Sequence, residues 1–125
     1  MNASSKKRLT QYERLAGMLR DRIASGTYAR GDKLPSEMEL MDESGLSRST
    51  VRHALKVLVD EGLVRTERTA GRFVTEDTAL IEQLRADTAQ TLAADFLEKM
   101  RGIGYSPAQA AALLEHWDAK EGEPR

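Results

Sequence analysis

Residues 47–74 read SRSTVRHALKVLVDEGLVRTERTAGRFV, and the order of patterns within them decides the fold. Ser47 offers a helix cap, after which Val51, Ala54, Leu55, Leu58 and Val59 recur at the three-and-four spacing of one helix face until Gly62 stops the run. Residues 63–68 and 72–75 are then rich in types suited to strands, with Thr69-Ala70-Gly71 between them as a hairpin turn. A helix running straight into a hairpin is an informative pair.

Upstream, Pro35 precedes Ser36, and Glu39 stands three residues further on, the spacing of a capping box that opens a short second helix to about residue 43. Gly45 and Leu46 separate it from the next. Two short helices joined by a turn containing glycine make a helix-turn-helix, and one followed directly by a hairpin is a winged helix. Before it, Tyr12, Leu15, Ala16, Leu19 and Ile23 form one apolar stripe that ends at Gly26. Residues 26–32 carry turn chemistry, and Lys33-Leu34 leaves room for a very short extended piece.

Beyond Asp77 the pattern is helical. Leu80, Ile81, Leu84, Leu92, Phe96, Leu97 and Met100 punctuate a long helix over residues 78–101 that ends at Gly102-Ile103-Gly104. Ser106 as cap and Pro107 at the first helical position open a last helix, with Ala110, Leu113, Leu114 and Trp117 on one face. Residues 121–125 should fray. The expected architecture is mostly α with a small β-hairpin wing: a winged helix-turn-helix domain over residues 1–76 and a two-helix tail over 77–125.

Composition bounds the function. The 125 residues are 40% hydrophobic and 31% charged, as in a globular chain with one core or two small ones. Without cysteine there are no disulfides, thiolate metal sites or Cys nucleophile, and a reducing cytoplasmic setting is expected. No apolar run approaches the roughly 18 residues of a spanning helix, and residues 1–10 are too polar for a signal peptide. His53 and His116 lie in different domains without a third ligand at metal spacing, so no metal is expected. No serine sits in a Gly-x-Ser-x-Gly turn and no Gly-rich phosphate loop is present, which leaves an enzyme without a site and calls for no cofactor.

The formal net charge of −1 hides an asymmetry: residues 1–76 carry 14 Lys and Arg against 11 Asp and Glu, and residues 77–125 carry 5 against 9. Residues 47–56 hold Arg48, Arg52 and Lys56 with no acid. In a helix-turn-helix the second helix enters the major groove with its N-terminal residues leading. Here those are Arg48, Ser49, Thr50 and Arg52. Arg can grip guanine O6 and N7 with two bonds, and hydroxyls and free helix-start amides suit phosphate. A solvated helix face and first-turn capping are the bland alternatives. Ser36 and His53 extend the candidate DNA-binding set, and the wing adds Gly71, whose turn also wants glycine for conformational reasons alone, and Arg72. This reading requires Arg48 and Arg52 to be held outward, not tucked inward against carboxylates, with the 69–72 hairpin tip beside their helix.

These residues carry a resemblance. The segments YERLA (12–16), IASG (23–26), GDKLPSE (31–37), LSRSTVR (46–52), LVDEGLV (58–64) and GRFV (71–74) resemble the winged-helix domain of GntR-type bacterial transcription regulators. The resemblance implies a dimer on a pseudo-palindromic operator in double-stranded DNA, usually a repressor released by a small-molecule effector. It matches Arg48, Thr50 and Arg52 to DNA-reading positions and Gly71 to the wing glycine. One position departs: where the family commonly has a DNA-contacting Arg after Pro-Ser-Glu, this chain has Met38. The short tail, with FLEKM (96–100), Gly104 and Ser106, resembles the YtrA-like branch and implies dimerisation through the tail.

The dimer is also expected on physical grounds. Leu92, Ala93, Ala94, Phe96, Leu97, Met100 and Ile103 occupy a wider arc than one short neighbouring helix can cover. Ile81, Leu84, Leu92, Phe96, Met100, Leu113 and Trp117 are the expected homodimer contacts, with packing onto the chain's own winged helix as the alternative. Neither half is large enough for an evident pocket, so an inducer is expected between domains or across the dimer interface.

Overall fold

The computed structural model describes residues 8–118 and 123–124. In chain order they form α1 (Gln11–Ser25), α2 (Glu37–Ser44), α3 (Arg48–Asp60), β1 (Val64–Glu67), β2 (Gly71–Val74), α4 (Thr78–Gly102), α5 (Pro107–Glu115), β3 (Trp117–Asp118) and β4 (Glu123–Pro124). The chain divides into two compact units, with the cut inside α4 between Arg85 and Ala86. The described part is mostly helical, with one hairpin wing.

In the first unit each helix starts where its cap chemistry lies. Thr10 with Glu13, and Ser36 with Glu39, form reciprocal capping boxes on α1 and α2, and Ser47 caps α3. Gly62, at φ 81°, closes α3: its amide donates to Val59 O, and the next amide, Leu63, donates to Leu58 O. This left-handed exit satisfies the last helical carbonyls and turns the chain directly into β1. β1 and β2 pair antiparallel from Val64 opposite Val74 to Glu67 opposite Gly71. The short piece expected at Lys33-Leu34 lies along β2 as a single bridge to Phe73, with Leu34 N donating to Arg72 O and Val74 N to Asp32 O.

One core joins these parts. Leu15, Leu19 and Ile23 of α1, Leu34, Leu40 of α2, and Val51, Ala54, Leu55 and Leu58 of α3 close on Leu63, Val64 and Val74. Each fully buried aliphatic side chain of this kind contributes about 1.5–3 kcal/mol of transfer free energy. Val59 is only partly buried at the flank of this stripe.

The first turns of α4 belong to this unit, which therefore runs past Glu76 to Arg85. Leu80, Ile81 and Leu84 pack against the winged-helix core, and Arg85 Nε donates to the carbonyl of Ala24 near the end of α1. Ile81 and Leu84, expected at a dimer contact, are partly buried against the core of their own unit. Thr75 N is bonded to Leu63 O beneath the wing, so the helix starts against that core and its first apolar side chains have a nearby surface to fill.

In the second unit, α4 ends at a left-handed Gly104, and Ser106 with Gln109 makes a third capping box that opens α5 with Pro107 in its first turn. Ala110 is buried, whereas Leu92 and Ile103 stand 64% and 71% exposed. Leu113, Leu114 and Trp117 are also exposed, and Phe96, Leu97 and Met100 are half-buried. The expected fraying of residues 121–125 is corrected at two positions: Glu123 and Pro124 pair antiparallel with Asp118 and Trp117, since paired amides and carbonyls are favoured over lone ones. Glu121, Gly122 and Arg125 lie outside the described residues.

Candidate nucleic-acid interface

The first turn of α3 is a small hydroxyl cluster. Thr50 N donates to Ser47 Oγ at 3.2 Å, Ser47 Oγ lies 2.9 Å from Thr50 Oγ1, and Ser49 Oγ is 3.3 Å away. Capping thus occupies part of what Ser49 and Thr50 offer. Ser36 plays the same part on α2, its Oγ accepting from Glu39 N at 3.1 Å, which leaves the hydroxyl proton available to donate.

The arginines do not stand free. Arg48 Nη1 reaches Glu37 Oε1 at 3.0 Å, Arg52 binds both oxygens of the same carboxylate at 3.0 and 3.1 Å, and Arg72 of the wing reaches Oε2 at 3.1 Å. The expectation that Arg48 and Arg52 are not drawn against a carboxylate is corrected on this point, since they and Arg72 all pair with Glu37. Their side chains nonetheless remain 47%, 59% and 24% exposed, around a Glu37 that is only 14% exposed. Three cations share one anion, so the cluster keeps two positive charges in excess. Its acid is well placed: Glu37 is the first residue of α2, where the helix dipole favours a carboxylate.

Glu37 was missed by sequence reasoning because its partners lie 11, 15 and 35 residues away, on another helix and on the wing. Hydrogen bonding from Arg52 lowers its pKa from 4.5 to about 2, against the opposing effect of burial and with help from Arg72 and Arg48. A depressed carboxyl contributes stability that is fully present above its unfolded value and lost as pH falls through the folded one. The cluster should therefore hold at neutral pH and weaken between about 4.5 and about 2. A carboxyl carbon NMR titration of Glu37 with its midpoint near 4.5 would contradict this.

The wing tip lies beside α3. Thr69, Ala70, Gly71 and Arg72 line a cleft of about 460 Å³ together with Arg48 and the 33–38 segment. Gly71 has φ 112°, a left-handed conformation that calls for glycine, whereas a Cβ there would meet only the movable end of the Lys33 side chain, Cε at 3.0 Å. The Arg72 guanidinium points back to Glu37 and not away from the tip, and Lys56 is paired with Asp60 at 2.9 Å. His53 is exposed, and its ring stacks on Tyr12 of α1 with centroids 3.7 Å apart and planes 11° from parallel. Tyr12, read from sequence as part of the apolar stripe, thus also forms the floor for a candidate contact residue.

The model of the bacterial regulatory proteins of the gntR family matches residues 11–74, which covers α1 through the wing. The chain belongs to the GntR family. Across 82% of its length it is 32% identical to the Uxu operon regulator of Haemophilus influenzae, of which it spans 38%. Among solved structures it is similar to a GntR family transcriptional regulator from Listeria monocytogenes, at TM-score 0.78 and 28% identity over 90% of this chain and 99% of that one. The DNA-binding domain of AraR, solved in complex with its operator ORR3, matches 56% of this chain and covers 84% of that domain at 33% identity and TM-score 0.53. Membership of this family of transcription regulators agrees with the helix-turn-helix, the wing and their order.

Proposed function

We propose that this chain is an operator-binding transcription regulator of the short YtrA-like type, acting as a homodimer. The observation that carries the reading is the convergence of Arg48 and Arg52 from α3 and Arg72 from the wing on one carboxylate, with positive charge in excess. A helix start and a wing tip that share one cleft are the two parts that meet a duplex in this geometry. On binding, the guanidiniums exchange part of their pairing with Glu37 for phosphate oxygens or guanine edges, while Ser36, Ser49, Thr50, His53 and the backbone at Gly71 complete the contact surface.

The dimer is supported by the second unit, where Leu92 and Ile103 are exposed beside half-buried Phe96 and Met100, and Leu113 and Trp117 are exposed on α5. A second copy offers the same apolar surface, and an isologous contact would cover both at once. Two recognition helices would then enter successive major grooves about 34 Å apart on a pseudo-palindromic site. Repression follows where that site overlaps a promoter.

Selection of bound fragments from random duplex DNA tests the reading. It should return one inverted-repeat motif, bound with an affinity that falls steeply as salt rises because phosphate contacts release counterions. Absence of any enriched motif, with no binding to sheared genomic DNA at modest salt, would sink the proposal and favour a winged helix that docks protein partners.

A further inference from the structure

Met38 is the second residue of α2, directly after Glu37. Among the described residues of the first unit, only Leu9 and Met38 are large apolar side chains left strongly exposed, Met38 at 55%. It lines the cleft between wing and recognition helix in company with Ser36, Arg48, Thr69, Gly71 and Arg72. The core beneath α2 is filled by Leu40, so Met38 is not used for folding.

A thioether has no hydrogen to donate and accepts weakly, so in this cationic cleft it can serve neither phosphate nor the polar edge of guanine. What it can take is an apolar group. In the major groove the edges of the four base pairs present one such group, the C5-methyl of thymine, and a flexible, polarisable side chain packs well against it.

We infer that Met38 is a specificity-determining residue that reads a thymine methyl group in each half-site. The inference rests on the DNA-binding reading above. It makes the contact from this position of α2 an apolar one, next to the charged contacts of Arg48 and Arg72.

The test uses the full chain and the duplex selected from unmodified random DNA. Each thymine in turn is replaced by deoxyuridine, which removes the methyl and leaves base pairing and backbone intact, and affinity is measured by fluorescence anisotropy. One position per half-site should lose about three- to fivefold, the value of one buried methyl. Met38→Ala, at an exposed helical position that tolerates substitution, removes the contact from both half-sites of the dimer, so it should lose about nine- to twenty-five-fold on the thymine duplex and no longer distinguish it from the deoxyuridine one.

Packing of Met38 against a sugar would be blind to the exchange, so an operator without a thymine-sensitive position overturns the inference. So does a Met38→Ala protein that keeps the discrimination. A parallel selection from DNA containing 5-methylcytosine reports the other source of a pyrimidine methyl; enrichment of 5-methylcytosine in place of thymine at that position would overturn the thymine assignment. Failure of the wild-type protein to select any duplex would overturn the DNA-binding reading and this inference with it, whereas selective binding without a methyl effect overturns this inference alone.

Discussion

Leu92→Asp is expected to turn the protein into a monomer and to cut its affinity for a full operator by about 10²- to 10⁴-fold, the gain that linking two binding modules ordinarily supplies. Leu92 is 64% exposed, so the substitution leaves the described fold intact while placing a carboxylate on the surface proposed to meet a second copy. Burial of that charge without a partner is too costly for the contact to survive. Sedimentation reads the oligomeric state and a gel shift the affinity. Phe96→Asp should act in the same direction, but Phe96 is half-buried and its loss also disturbs local packing. A Leu92→Asp protein that remains dimeric would remove the tail from the proposed interface.

Arg52→Ala is the second large effect. Arg52 is the most exposed of the three arginines and the one that holds both oxygens of Glu37. If it grips a base pair in the operator, its truncation costs about 1–3 kcal/mol on the cognate site and relaxes selectivity at one position. The protein itself should stay folded, because Glu37 retains Arg48 and Arg72 as partners. Combining it with Glu37→Gln separates positioning from contact. Glu37→Gln alone removes a negative charge from the face, so non-specific binding should strengthen while specific binding does not, and the ratio of specific to non-specific affinity falls. In the double variant the two effects should fail to add, since they act on one network. An Arg52→Ala protein that binds its operator as the wild type does would leave the recognition helix without its principal reader.

Much of the first unit was legible because its signals are local. The caps at Ser36 and Ser47 sit within three residues of the groups they satisfy, and the α3 stripe obeys a period that one turn of helix imposes. The hairpin was readable from strand-forming runs on either side of Gly71, whose positive φ is a property of the residue itself. The packing of Ile81 and Leu84 on their own core was not legible, for the opposite reason. Periodicity says that a helix has an apolar face, but not which neighbour lies against it, and the first turns of α4 fall on the winged-helix core.

By itself, then, the order of residues determined the helix-turn-helix, the wing, the family membership and the set of cations at the start of α3, since each depends on neighbours a few positions apart. Tertiary structure alone decided that those cations share Glu37, that His53 lies on Tyr12, and that Met38 is left in the cleft. Such groups meet only after the core of α1, α2, α3 and the wing has closed. Electrostatic and stacking partners are chosen by distance in space, and no local pattern along the chain encodes that distance.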